Sequence, residues 1–325
     1  MKIFFRALIA LCLLALVSGC ATYVTSPQAT AFNQSVTIAA TNLQASLAEV
    51  QSVEVENQVD AFAKSNERTL EHLDLDPKLS DGVLKAITSQ FAFLVSYSAS
   101  LKNVTTPGTS WTASVAGLNS AATKVATDAG ALSNAVGGTT LLTAANVETL
   151  KTDAGKVTNA LSSVGQGLLT IYGEEKAYRI ANAVDPAVQR YCSALEALLT
   201  EDPDAAVPKT GLAGILHADY EIKVAVIKNL ATTVLPSVSY DNPDYLQAFS
   251  WRTKLVTEYS TLLRNEQSGV NKIIALRKAV AEIASAHTAL AKKDAETFRE
   301  KLSAAAELLE SAFKSNQGAI AGVQK

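Results

Sequence analysis

Apolar residues recur along this chain in steps of three and four. From Phe32 the positions Val36, Leu43, Leu47, Val50 and Phe62 share one face of a helix, as a turn of 3.6 residues requires, and this first helix is expected to reach about Arg68. The stretch His72 to Ser80, with Asp74, Asp76 and Pro77, reads as a turn that leaves Ser80 as the N-cap of the next helix. Leu84, Ile87, Phe91, Leu94, Val95 and Leu101 then line up, before a break at Thr105-Thr106-Pro107-Gly108. A third helix carries Val115, Leu118, Ala122, Val125, Ala129 and Leu132 toward the pair Gly137-Gly138, and a fourth runs from Thr143 to about Ala183.

Asp185-Pro186 reads as a helix restart, since aspartate caps and proline fits a first turn. The run Glu201 to Gly211, with Pro203 and Pro208, is the clearest loop in the body. A sixth helix spans about Leu212 to Val234 and stops at Pro236. After Asp241-Asn242-Pro243 a very long amphipathic segment runs to Leu290, and a last helix carries Phe298, Leu302, Leu309 and Phe313. With no segment that reads as a strand, the expected fold is all-α: an elongated antiparallel bundle, coiled-coil-like, of about six to eight helices. The body is expected over 29–325, and the pattern allows a subdivision near 201–211.

The first nineteen residues follow a different logic. Two cations, Lys2 and Arg6, precede an apolar run from Ala7 to Val17, too short for the roughly 20 residues that cross a bilayer. Ser18, Gly19 and Cys20 close it, which is the order of a secretory signal. Leu16-Val17-Ser18-Gly19-Cys20 resembles the lipobox of bacterial lipoproteins, in which small residues precede an invariant cysteine. That resemblance covers the leader alone. It implies cleavage by the lipoprotein signal peptidase between Gly19 and Cys20, with Leu16, Val17, Ser18 and Gly19 as the recognised residues. It also implies diacylglyceryl attachment to Cys20, usually joined by a third acyl chain on the new amino terminus. Two or three chains, each buried CH₂ contributing about 0.8 kcal/mol, hold a protein to a membrane where one does not. Residues 20–28 would then be a lipidated tether, and Ala21 in place of the aspartate of inner-membrane-retained members implies the outer membrane. The competing reading is an ordinary secretory signal ending near Ala21.

Charge changes the picture little. Loss of Lys2 and Arg6 with the leader takes the formal charge from −3 to −5, a balance that argues against a nucleic-acid partner. With Cys12 removed and Cys20 acylated, Cys192 would be the sole free thiol, leaving no pair for an intramolecular disulfide. Between Ala86 and Val147 the only charges are Lys102, Lys124 and Asp128, in a stretch rich in Gly, Ala, Ser and Thr. This is expected either as packed helices with hydroxyls on their open faces or as a hairpin that touches lipid.

Chemistry is scarce. The three histidines, His72, His217 and His287, are scattered. Glu71, His72, Asp74 and Asp76 within one turn, and His217 one turn from Glu221, read as ordinary polar surface rather than zinc ligands. Lys209-Thr210-Gly211 and Ser311-Ala312-Phe313-Lys314 match fragments of the penicillin-binding set in reversed order, which coincidence explains. Glu174, Glu175, Lys176, Tyr178 and Arg179 read as a solvated face, with Glu175 and Arg179 at pairing distance. Cys192 beside Tyr191 reads as a buried, inert thiol. No cofactor, no metal and no catalytic residue is expected.

Aromatics concentrate at Tyr240, Tyr245, Phe249, Trp251 and Tyr259. Most are expected in the core. Any exposed beside the loop 201–211, with Tyr240, Tyr245 and Trp251 the candidates, would suit contact with a protein or glycan. The functional expectation is a non-enzymatic outer-membrane lipoprotein that presents a helical face to another envelope protein or to copies of itself. A membrane-active protein using 86–147 is the second reading, and an envelope ligand binder or hydrolase the third.

Overall fold

A computed structural model describes residues 26–64, 79–106, 108–136, 139–167, 173–205, 207–234 and 245–321. The chain is an all-α helical bundle. Its helices are α1 (Pro27–Lys64), α2 (Asp81–Val104), α3 (Trp111–Asp128), α4 (Ala144–Gly167), α5 (Glu174–Leu199), α6 (Gly211–Val234), α7 (Tyr245–Ala291) and α8 (Ala295–Ala321). The leader and the lipobox, Leu16 to Cys20, lie outside the described residues, as does the turn holding Glu71, His72, Asp74 and Asp76.

Local chemistry explains most of the boundaries. α1 opens at Pro27, inside the stretch assigned to the tether, because the Ser26 hydroxyl accepts from the Ala29 amide (3.2 Å) and proline suits the first turn. Ser110 caps α3 by accepting from Ala113 N–H (3.2 Å), and Asp294 caps α8 by accepting from Thr297 N–H (3.0 Å). Ser80 does stand before α2, but its side chain makes no capping bond. In the loop 201–211, Gly211 has φ +62°, and a Cβ there would lie 2.7 Å from the Leu198 carbonyl oxygen, so the entry into α6 requires glycine.

Two boundaries differ from the sequence expectation. α4 stops at Gly167, and α5 starts after Gly173, whose φ of +68° is left-handed, so the break lies before Ala183. Pro186 sits inside α5 rather than opening a new helix. The helix continues because both sides of the proline are packed: Ile180, Ala181 and Val184 before it and Val188 and Tyr191 after it are buried. Between α3 and α4 a 3₁₀ turn (Ala129–Ser133) leads to a two-residue antiparallel ladder, β1 (Ala135–Val136) against β2 (Thr139–Thr140). The sequence pattern has no counterpart for that ladder, whose paired strands flank Gly137-Gly138.

α2 is central, burying Ile87, Phe91, Phe93, Leu94, Tyr97 and Leu101. α3 is not: it buries only Leu118, Ala121 and Val125, and its Thr123 and Thr127 hydroxyls donate to carbonyls one turn back. Among the described residues no helix is long and apolar enough to cross a membrane.

The helices run lengthwise and give the molecule two distinct ends. α1 and α7 are antiparallel: the Phe32 ring lies 5.6 Å from His287 near one end, and Lys272 Nζ donates to Glu49 Oε2 (2.7 Å) further along. The turn between α7 and α8 meets the start of α5 at this first end, where Lys293 pairs with Glu175 (2.7 Å). α6 and α7 leave the other end as a hairpin. α7 has 47 residues and is therefore about 70 Å long.

Candidate functional site

The hairpin is where the apolar pattern and the packing disagree. α7 presents Leu255, Tyr259 and Leu262 toward its neighbours, all partly buried. Its first turns nevertheless leave Leu246 (78 % exposed), Val256 (62 %), Phe249 (56 %) and Trp251 (53 %) largely open. Fully burying one such side chain contributes roughly 1.5–3 kcal/mol, a good part of which the folded chain leaves unused here. Phe249, Val256 and Leu263 are seven residues apart, so they form one stripe along α7, the repeat of a helix seeking a helical neighbour.

The stripe borders a groove of about 380 Å³ between the two helices. Ile227, Lys228 and Ala231 of α6 form one wall, and Arg252, Leu255, Val256 and Tyr259 of α7 the other. Two cations, Lys228 and Arg252, rim this apolar floor. Lys228 Nζ sits 5.9 Å above the centre of the Tyr259 ring, and elsewhere on α7 Lys254 holds the same relation to Trp251 at 5.4 Å.

Of the candidate contact aromatics, Trp251 is exposed as such a role needs, Tyr240 lies outside the described residues, and only the backbone of Tyr245 is described. Phe249, outside those candidates, is exposed as well, and Tyr259 is partly buried. The neighbourhood also differs from expectation. The loop 201–211 packs against α7 where Arg277 Nε donates to the Thr200 carbonyl (2.9 Å), about 39 Å along the helix from Trp251. The apolar cluster belongs to the end of the rod and not to the loop.

A second polar arrangement is one that sequence reasoning missed. Tyr97 of α2, Asp185 of α5 and His287 of α7 converge inside the bundle: Tyr97 Oη lies 2.6 Å from His287 Nε2, and His287 Nδ1 lies 2.7 Å from Asp185 Oδ1. The Thr288 hydroxyl and the Gln189 amide also donate to Asp185 (3.0 and 3.2 Å). Burial pushes the Asp185 carboxyl up, but the His287 bond and the two further donors outweigh it and hold the group below its ordinary range. The order carboxylate, imidazole, hydroxyl is that of a nucleophile relay. Here the hydroxyl belongs to a tyrosine and, like the imidazole, is fully buried, so the arrangement satisfies a polar core. Asp185-Pro186 was the only local signal, and it read as a cap.

The remaining candidates resolve as structure. His217 Nδ1 meets Glu266 on α7 (2.6 Å) more closely than it meets Glu221 (3.7 Å). Arg179 pairs with Glu175 at 2.9 Å, as their spacing predicts. Cys192 is buried, and that burial pushes its thiol up. The Thr210 hydroxyl accepts from the Glu201 amide (3.1 Å), tying the loop to itself. Among the described residues no group of three or more His, Cys, Asp or Glu side chains comes together as a metal would need.

No family model, no curated protein and no solved structure matches this chain.

Proposed function

We propose that this protein is an envelope lipoprotein, anchored by acyl chains on Cys20, that acts without catalysis by holding the α6–α7 hairpin away from its membrane as a contact surface for another protein. The observation that carries the reading is the polarity of the rod. α1 begins seven residues after Cys20 and runs unbroken for 38 residues, about 57 Å. Its antiparallel partner α7 brings its apolar first turns to the end opposite the start of α1. A chain tied to lipid near residue 20 would thus carry its exposed Leu246, Phe249, Trp251 and Val256 at the far end. There they would meet a partner before they met the anchoring bilayer.

Exposed apolar surface of this kind marks interaction sites in folded proteins. The burial of Tyr97 and His287, and of Cys192, favours a contact role over an acid–base or thiol mechanism. The leader order Lys2, Arg6, apolar run, Ser18-Gly19-Cys20 supports export to the envelope. Fractionation of cells tests the reading. The native chain is expected with the outer membrane and the Cys20→Ser chain in the soluble or inner-membrane fraction; a native chain recovered soluble would remove the anchor.

A further inference from the structure

We propose that the α6–α7 groove receives one amphipathic helix of a partner protein, about two heptads long, apolar on the face it inserts and carrying carboxylates on its flanks. This rests on the reading of the chain as a contact module and names what that module holds.

Three features of the groove fix the class of occupant. Its floor is apolar and concave, lying between two antiparallel helices, with Ile227 and Leu255 at the base. A third helix laid along such a pair fills the space with its own a and d side chains and completes a three-helix bundle. The adjoining stripe fixes the length. Phe249 to Leu263 spans fourteen steps, about 21 Å of helix, which is two heptads. The rim fixes the charge. Lys228 and Arg252 stand exposed on opposite walls, and among the described residues neither has a carboxylate within ion-pair reach. Three other cations at helix contacts are paired with carboxylates: Lys272 with Glu49, Arg277 with Glu196 and Lys301 with Glu282. Two cations without a carboxylate partner among the described residues, flanking an apolar channel, match a helix bearing Glu or Asp beside its apolar face, the pattern that sets partner choice in helical pairs.

The other occupants fit less well. A second copy meeting this groove face to face across a two-fold axis would set Lys228 and Arg252 against cations of the same surface. A bilayer is flat and would leave the floor of the groove unfilled.

The test is a titration of the full mature chain in micelles with two fluorescein-labelled synthetic helices. Both have two heptads with Leu at a and d; one carries Glu at e and g, the other Lys. The Glu helix is expected to bind roughly tenfold more tightly than the Lys helix, as two or three exposed charge pairs allow. Val256→Glu is expected to weaken the Glu helix at least roughly tenfold. The double variant Lys228→Glu, Arg252→Glu is expected to reverse the preference, and that gain for the Lys helix separates a lost site from a lost fold. No binding, equal binding of both helices, or a preference that survives the reversal overturns the proposal. So does displacement of the Glu helix by phosphatidylglycerol vesicles, which would assign the groove to lipid. Self-association abolished by Val256→Glu would assign it to a second copy, with the same consequence. The same titration on the Cys20→Ser chain keeps the two readings apart, because the groove binds with or without the anchor.

Discussion

The Nδ1 of His287 lies 2.7 Å from Oδ1 of Asp185, although 102 residues separate them in the chain. With Nδ1–H donating to the carboxylate, Nε2 is left to accept the Tyr97 hydroxyl proton, so the whole buried chain is satisfied in one tautomer. Because this cluster joins α2, α5 and α7, it works as a polar pin for the bundle. Tyr97→Phe removes one donor and strands a buried ring nitrogen, at a cost of about 1–3 kcal/mol. His287→Ala also strips Asp185 of its main partner and opens a cavity, and is expected to cost about 3–5 kcal/mol. Urea unfolding measures both, and a loss under 0.5 kcal/mol for His287→Ala would remove the pin.

Acid should loosen the bundle at a second joint. Asp153 on α4 accepts both Nε and Nη2 of Arg190 on α5 (2.8 Å each), with Lys156 alongside. Burial pushes this carboxyl up, yet Arg190 and Lys156 more than offset that and hold it below its ordinary range. A carboxyl lowered in the fold contributes stability that is complete above its unfolded value near 3.9 and is lost as pH falls through the folded value. Asp185 acts with the same sign; Glu196, raised by burial, acts with the opposite one. Urea midpoints are therefore expected to hold between pH 7 and about 5 and fall below about 4. Asp153→Asn should lower stability at pH 7 by about 1–3 kcal/mol, since Arg190 is half exposed, and flatten the acid limb. An unchanged limb would contradict the assignment.

Two apolar side chains of the same helix should behave oppositely. Leu276 is fully buried and Val256 largely exposed. Leu276→Ala is expected to cost about 2–5 kcal/mol and Val256→Ser no more than about 0.5. If Val256→Ser destabilised the chain as Leu276→Ala does, the stripe would be core and the groove would have no free face.

Burial also protects Cys192, whose thiol is pushed up by desolvation and by the nearby carboxylates of Glu196 and Asp185. At pH 8 the folded chain is expected to resist Ellman's reagent and the guanidinium-unfolded chain to release one equivalent. Rapid reaction of the folded protein would mean that α5 opens readily. A second equivalent after unfolding would mean that Cys20 carries no lipid.

Much of this fold can be read locally. Phe32, Val36, Leu43, Leu47 and Val50 are buried as their spacing requires, because an amphipathic helix declares its inner face in its own sequence. The break at Thr105 to Gly108 and the loop 201–211 are also legible, being backbone chemistry, with Gly108 and Gly211 both at positive φ. What could not be read depends on distant partners. Pro186 continues a helix because α5 is packed on either side of it. The meeting of Tyr97, Asp185 and His287 comes from three helices. The stripe at Phe249, Val256 and Leu263 has the periodicity of a core, and only the packing reveals that it stays largely exposed. A repeat of apolar residues states that a face seeks burial; it does not state whether this chain provides the cover.

The proposed role depends on the anchor at Cys20, and intact-mass analysis of the membrane-extracted protein tests it most directly. The expected species begins at Cys20 and carries the mass of a diacylglyceryl group, with a third acyl chain where the amino terminus is modified. Cys20→Ser should lose that mass and leave the outer-membrane fraction. A native chain cut near Ala21, or one starting at residue 20 with an unmodified thiol, would contradict the account.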